Sequence, residues 1–335
     1  MTKTLIIAEA GVNHNGSLEL ALKLVEEAAR AGADIVKFQT FKAENLVSAA
    51  AKKAAYQTAN DPSEDDSQLN MLRGLELSES DFHDIADYCE KCGIGFLSTP
   101  FDEESVDMLH SMGMRVWKIP SGEITNFPLL RKIGALKEEV IMSTGMCEIA
   151  EIEEALSVLE EFGTPRSEVI LLHCTTQYPA PLESVNLLAM DTLKNLGCKS
   201  VGYSDHTEGV LVPVAAAARG AAVIEKHFTL SREMPGPDHK ASLEPAELAG
   251  MVAKIREVEV MLGSSEKNVT AAESPNVAVA RKSIVASRPV AKGEMFSEQN
   301  ITAKRPGTGI SPMCWRDVIG KQARFDFDTD EQIRF

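Results

Sequence analysis

Eight times along this chain, a short apolar run ends in polar residues and gives way to an amphipathic segment of helical period. The runs are "TLIIAEA" (4–10), "DIVKFQT" (34–40), "IGFLSTP" (94–100), "RVWKIPS" (115–121), "EVIMSTG" (139–145), "VILLHCT" (169–175), "SVGYSDH" (200–206) and "AVIEKHF" (222–228). Strands alternating with helices at about 30 residues per unit predict an α/β fold, a (β/α)8 TIM barrel. The competing architecture, a doubly wound open sheet, lacks the glycine fingerprint expected after its first strand. In the first unit, "SLELALKLVEEAARAGA" predicts a helix with Leu18, Leu22, Val25 and Ala29 as its apolar stripe. Ser17 is its expected N-cap and Gly32 its expected C-cap. The segment Leu46–Leu77 is longer than a barrel connection needs and predicts a loop inserted over one face.

After a helical pattern at 245–262 the texture changes. "GSSEKNVTAAESPNVAVA" reads as a connection, and from Arg281 onward short strand-like pieces with frequent Gly and Pro predict a small, mostly β domain. The expected organisation is a barrel domain over 1–262, a linker over 263–280 and a small domain over 281–335.

The 335 residues carry a formal net charge of −16. That excess argues against broad contact with nucleic acid or an anionic membrane surface. It also repels an anionic substrate at long range, so such a substrate needs a locally basic, well-organised pocket. The six cysteines include only one close pair, Cys89 and Cys92, which points to reduced thiols and a cytoplasmic location. "CEKC" sits in a helical pattern with no second pair, which argues against zinc. No run reaches the roughly 20 apolar residues of a membrane span, and the first apolar run is too short for a signal peptide.

In a barrel of this type, chemistry sits at the carboxyl ends of the strands. Those ends carry Glu9, Lys37 and Gln39, Ser98 and Thr99, Lys118, Ser121 and Glu123, and Ser143 and Thr144 on the first five strands. The last three carry His173 and Thr175, then Ser204, Asp205 and His206, then Glu225 and His227. Neighbouring strands are about 4.8 Å apart, so the imidazoles of His206 and His227 can reach one point. Two neutral imidazoles suit a divalent metal, while acid–base work or simple hydrogen bonding at the rim are the alternatives. Glu9, on the strand that closes the barrel against the eighth, can position or deprotonate a water near that point. Lys37 and Lys118 are costly inside the rim unless they meet an anion or form a Schiff base. With the hydroxyls of Ser121 and Ser143 and the backbone of "PSGE" and "STGM", they can make a phosphate cradle. In the small domain, Arg305 precedes a rigid Pro-Gly turn in "RPGTG".

Ten ordered stretches carry a resemblance: "AEAGVNHNGS", "VKFQTF", "STPFD", "WKIPSGE", "STGM", "LLHCTTQYPAP", "YSDHTEG", "EKHFTL", "PGPDHKASLEP" and "KRPGTGISP". From about Leu5 to Lys321 the chain resembles the bacterial sialic acid (nonulosonate) synthase family, which includes N-acetylneuraminate, legionaminate and pseudaminate synthases. The small domain is similar to the antifreeze-like (SAF) domain of those enzymes. The resemblance implies condensation of phosphoenolpyruvate with an N-acetylated mannose-type sugar, giving a nine-carbon 2-keto acid and phosphate. It implies a divalent metal, Mn2+ or Mg2+, and a homodimer in which one subunit's small domain covers the other's barrel mouth.

By the same resemblance, His206 and His227 bind the metal. Phosphoenolpyruvate meets Lys37, Thr99, Lys118, Ser121, Ser143 and Ser204, with Thr176 where some members use asparagine. The sugar meets Glu123, Tyr178, Asp238 and the partner's copy of Arg305, and Glu9 handles the water. Arg281 stands near where some members place an aromatic residue against the sugar's acetyl group. The implied mechanism has the enol carbon attacking the metal-polarised aldehyde, Glu9 and Glu123 flanking the cationic C2, and phosphate leaving by C–O cleavage. The sugar is N-acetylmannosamine or 2,4-diacetamido-2,4,6-trideoxymannose. Two other functions stand beside this one: a Schiff-base pyruvate aldolase or lyase on the same barrel, and a non-catalytic carbohydrate-binding protein.

Overall fold

The computed structural model describes residues 3–54, 57–58 and 65–335. It divides into two compact units, Met1–Gly263 and Ser264–Phe335. The first is built on eight strands: β1 (Leu5–Gly11), β2 (Ile35–Thr40), β3 (Gly95–Pro100), β4 (Val116–Ile119), β5 (Glu139–Ser143), β6 (Val169–Cys174), β7 (Ser200–Asp205) and β8 (Val223–His227). They pair in parallel in the order β3-β2-β1-β8-β7-β6-β5-β4. Because β1 pairs with β8, the first and last strands of the repeat meet, as a barrel requires. Only the β3–β4 seam carries no ladder among the described residues.

Strand ends fall close to the apolar runs, with one instructive exception. The fourth run was expected to reach Ser121, yet β4 stops at Ile119. Pro120 has no N–H to give the ladder, and Ser121–Glu123 coil into a single 3-10 turn. That turn swings Glu123 away from the direction the strand was leading it.

The helix Leu18–Ala31 has the expected caps: Ser17 Oγ accepts from the Leu20 N–H, and Gly32 takes the left-handed φ of +81°. Its buried face differs from the predicted stripe. Ala21, Leu24, Val25 and Ala28 are fully buried, whereas Leu18, Leu22 and Ala29 are only partly covered. Alanines on the sheet-facing side let the helix lie close over the strands, and the leucines fill the flanks. Helices at Glu79–Cys92, Glu103–Ser111, Phe127–Leu136, Ile149–Phe162, Leu211–Ala218 and Pro245–Leu262 complete the outer layer.

Residues 55–56 and 59–64 of the predicted insertion lie outside the described residues. The described part includes the helix Gln68–Arg73. Leu72 and Leu75 pack with Val12, Phe41 and Ala43 in an apolar cluster separate from the barrel core.

In the second unit, the helix Ser274–Ala280 occupies part of the stretch expected as linker. Strands β9 (Ser283–Ala286) and β10 (Ile301–Lys304) run antiparallel. Ile284, Val290, Phe296, Ile301, Val318 and Phe327 form their own core.

Candidate active site

The carboxyl ends of the barrel strands surround a cavity of about 760 Å3. Register places its polar groups in tiers. Glu9 on β1 pairs with Lys37 on β2 and with His227 on β8. Ser204 on β7 pairs with Glu225 on β8. Side chains one residue apart point to opposite faces, so Glu225 and His227 both face the cavity while Lys226 points away from it.

At the base lie four ionisable groups with almost no exposure: Glu9, Lys37, Lys118 and Glu225. Lys37 Nζ is 2.6 Å from Glu9 Oε2 and 3.8 Å from Glu225 Oε2, and it donates to Thr99 Oγ1 at 3.0 Å. Gln39 Nε2 donates to the other Glu9 oxygen at 3.0 Å. Burial pushes the Glu9 carboxyl up to about 7, with Lys37 opposing and Glu225 adding to the rise. Burial works against charge on Lys37, but the two carboxylates beside it outweigh that and hold it above its ordinary value. Glu225 is likewise disfavoured as an anion by burial, yet Lys118 and Lys37 hold it below the ordinary carboxylate range. Lys118 donates to Ser143 Oγ at 2.7 Å and to the Ile119 carbonyl at 3.2 Å. Burial lowers its pKa. Ser204 Oγ donates to Glu225 Oε1 at 3.2 Å.

On one side Ser121 Oγ accepts from the Gly145 N–H at 2.8 Å and lies 3.3 Å from Cys174 Sγ. A Cβ at Gly145 would come 2.3 Å from Thr176 Oγ1 and 3.0 Å from Ser121 Oγ. Only glycine fits where these hydroxyls converge. Thr176 Oγ1 is buried with no hydrogen-bond partner, a group left for a ligand to satisfy.

Above this base, the rings of His206 and His227 lie 5.5 Å apart between centroids. The Tyr178 ring covers His206 at 4.2 Å and meets His227 edge-on at 5.8 Å. His206 Nδ1 is 2.7 Å from the Thr175 carbonyl, so it carries the proton and donates, leaving Nε2 with a free lone pair. Burial lowers the pKa of His206, and lowers His227 well below its ordinary value with His206 and the lysines adding to the effect. His227 Nδ1 is buried without a hydrogen-bond partner. Neutral imidazoles with unused lone pairs suit a divalent transition metal. Among the described residues no third His, Cys, Asp or Glu completes a metal-holding group, so any ion here takes its remaining ligands from substrate and water. Asp238 Oδ2 stands 3.8 Å from His227 Nδ1, and burial raises its pKa to about 6.

The structure thus brings together Glu9, Lys37, Thr99, Lys118, Ser121, Ser143, Thr176, Tyr178, Ser204, His206, His227 and Asp238 around one cavity. One expected residue stands apart from it. Glu123 does not line the cavity, because its carboxylate turns to accept from Asn126 Nδ2 at 2.6 Å. Arg305 belongs to the second unit, where its Nε donates to the Ala280 carbonyl at 2.9 Å. Lining features that went unassigned in the sequence include the Gln39 bond to Glu9, the Cys174 thiol, and an apolar wall of Val12, Met71, Leu72 and Leu75. Only the length of the inserted segment hinted at the wall.

Comparison with known proteins gives consistent relatives. Residues 24–267 match the profile of the NeuB family, and residues 281–335 match that of the SAF domain. The N,N'-diacetyllegionaminic acid synthase of Campylobacter jejuni is 54% identical over all of both chains. A synthase of the same name from Legionella pneumophila is 48% identical over 95% of this chain and 89% of its own. Among solved structures, the N-acetylneuraminic acid (sialic acid) synthetase of Leptospira borgpetersenii superposes with a TM-score of 0.72 at 35% identity, covering 82% of this chain and 90% of that one.

Proposed function

This chain belongs to the NeuB family, and on that premise we propose that it is a C–C bond-forming synthase that condenses phosphoenolpyruvate with an N-acetylated mannose-type sugar and water, releasing phosphate. The sugar we assign is 2,4-diacetamido-2,4,6-trideoxymannose, because the relatives named for N,N'-diacetyllegionaminate match nearly the whole chain. The observation that carries the reading is the juxtaposition of two buried lysines and convergent hydroxyls with two neutral imidazoles in one cavity.

Lys37 and Lys118 neutralise the phosphate and carboxylate of phosphoenolpyruvate, and Ser121, Ser143, Ser204, Thr99 and Thr176 donate to their oxygens. His206 and His227 would hold a divalent ion, Mn2+ or Mg2+. Such an ion supplies Lewis-acid polarisation of an aldehyde oxygen. Phosphoenolpyruvate's methylene carbon bonds to the aldehyde carbon, leaving positive charge at C2. Glu9, with a pKa near 7, takes a proton from the water that adds there. The former aldehyde oxygen takes up the proton Glu9 received, and the C2–O bond to phosphate breaks as the C2 hydroxyl gives its proton to the departing phosphate and becomes the ketone. Lys37, 2.6 Å from Glu9, links base and leaving group. Tyr178 and Asp238 bound the sugar side of the cavity.

The assembly we assign is a homodimer in which the partner's copy of Arg305 reaches the sugar. All six cysteines are unpaired, which supports a cytoplasmic location. No helix among the described residues is long and apolar enough to cross a membrane.

The test is phosphate release from phosphoenolpyruvate and Mn2+, comparing the diacetamido sugar with N-acetylmannosamine. Release with the diacetamido sugar is expected. Lys118 is lowered by burial, the direction a Schiff-base lysine needs. Borohydride trapping of pyruvate on Lys118, without phosphate release from either sugar, would overturn the synthase in favour of an aldolase.

A further inference from the structure

His239 and the "VNHNG" turn after β1 have no part in the chemistry above, yet they form a dense polar net. His239 is fully buried. Its Nδ1 is 2.6 Å from Thr229 Oγ1 and its Nε2 is 3.1 Å from Asn15 Oδ1. Asn15 Nδ2 donates to the Pro235 carbonyl at 2.9 Å, which fixes the amide so that its oxygen faces His239. An amide oxygen only accepts, so Nε2 carries the imidazole proton and Nδ1 accepts from the Thr229 hydroxyl. Asn13 Nδ2 donates to the Phe228 carbonyl at 2.8 Å and to Ser242 Oγ at 3.0 Å. Ser242 Oγ in turn donates to the Asp238 carbonyl at 2.7 Å.

The His239 and Asn15 bonds tie the end of β8 and the turn after β1 to the loop that carries Asp238, while Asn13 joins that turn to the end of β8 and, through Ser242, to the Asp238 carbonyl. Packing around it leaves no slack. A Cβ at Gly236 would come 2.7 Å from His239 Cδ2 and 2.8 Å from Asn15 Oδ1, at a φ of +146° that side chains rarely adopt.

We propose that Asn13, Asn15 and His239 are positioning residues, a polar clamp that holds the Asp238 carboxylate over the cavity at the His227 side. The loop from Ser231 to Lys240 has no strand or α-helix of its own. Without the clamp, its backbone would have to be ordered by sugar binding, which costs conformational entropy for every residue fixed. The proposal rests on the synthase reading, which gives Asp238 to the sugar.

The test uses the full-length protein and two readouts. In phosphate-release kinetics, His239→Ala raises the sugar KM by about tenfold or more, the worth of one or two hydrogen bonds. The KM for phosphoenolpyruvate stays near wild type. His239→Gln can place its amide N–H where Nε2 stood and recovers most of the loss, whereas His239→Asn reaches only the Nδ1 position and recovers less. If His239→Ala fails to fold, Asn15→Ala removes the same link from the other side and carries the same expectation. An unchanged sugar KM, a joint rise of both KM values, or no advantage of Gln over Ala overturns the clamp.

Nitrogen-15 NMR of labelled histidine in the free protein reads the clamp without turnover. A neutral His239 with the proton on Nε2 is expected across neutral pH, and burial lowers its pKa to about 4. A His239 that titrates freely near its ordinary value, or carries its proton on Nδ1, overturns the clamp. Absent phosphate release from wild type would instead sink the synthase reading and leave the NMR result to decide the clamp.

Discussion

Asp205 and Lys226 form a 2.6 Å ion pair with neither side chain exposed to solvent, each one residue before a cavity imidazole, His206 and His227. The two are also register partners across β7 and β8. Lys226 donates further to the Thr207 carbonyl, and Thr207 Oγ1 donates to Asp205 at 2.9 Å. The pair faces away from the cavity and fastens together the strand ends that carry the imidazoles. Removing one partner strands a buried charge, so Lys226→Met should lower unfolding stability by about 3–5 kcal/mol. The double change Asp205→Leu with Lys226→Met should cost less than Lys226→Met alone. Urea unfolding of both variants checks this. A Lys226→Met protein as stable as wild type would contradict it.

Glu9 should give a rising limb of activity with pH. Its ordinary value is 4.5, and burial, with Lys37 opposing, places it at about 7 in the fold. Between those values the folded protein keeps a proton that the unfolded chain has released. The stabilisation from the neutral carboxyl is therefore complete below pH 4.5 and is lost as pH rises through 7. Glu9→Gln mimics the neutral form, so it should be more stable than wild type by roughly 1–3 kcal/mol at pH 8 and nearly equal at pH 5. Its kcat should fall by about 10²–10⁴ with the limb near neutrality abolished. Thermal melts and kcat profiles from pH 5 to about 9 read both effects.

His227 should be needed for metal and not for folding. Chelation of the wild type should abolish phosphate release, and added Mn2+ should restore it. His227→Ala should keep its circular dichroism and cooperative melt, because the lost group is a neutral imidazole with an unpartnered Nδ1. Its Mn2+ affinity, read by electron paramagnetic resonance of the free ion, should drop about 100-fold or more. Metal-dependent turnover that survives the change would remove His227 from the site.

Arg305 tests the dimer. Light scattering should give twice the 36.3 kDa chain mass. Arg305→Ala should raise the sugar KM about 10–100-fold, the worth of a hydrogen bond to a charged group. Mixing Arg305→Ala with Lys118→Ala subunits should recover activity, since each heterodimer then contains one intact composite site. A monomer, or no recovery on mixing, would count against the partner's role.

Much of this was legible in the chain because buried parallel strands announce themselves as apolar runs and barrel chemistry collects at their ends. Lys37, Lys118, His206 and His227 could be placed on one rim from that rule alone. The phase of the first helix was not legible, because leucines outrank alanines in any apolar tally while the close helix–sheet contact favours Ala21 and Ala28. Nor was the turn of Glu123 toward Asn126, which follows from β4 breaking at Pro120.

Alone, the sequence determined the order of the strands, the residue types at their carboxyl ends and the break into two units. These are local matters of hydrophobic run length, turn chemistry and period. Closure of β1 on β8 was expected, but only the tertiary structure decided the register that sets Glu9 level with both Lys37 and His227. It alone showed that Asn15 reaches His239 across 224 residues of chain. The states of the ionisable groups were likewise decided in three dimensions, because desolvation and Coulomb interaction depend on distances through space and not along the chain. A glutamate, two lysines and two histidines are ordinary residues in the sequence. Burial within a few ångströms of one another is what gives them a neutral imidazole pair and a carboxyl poised near pH 7.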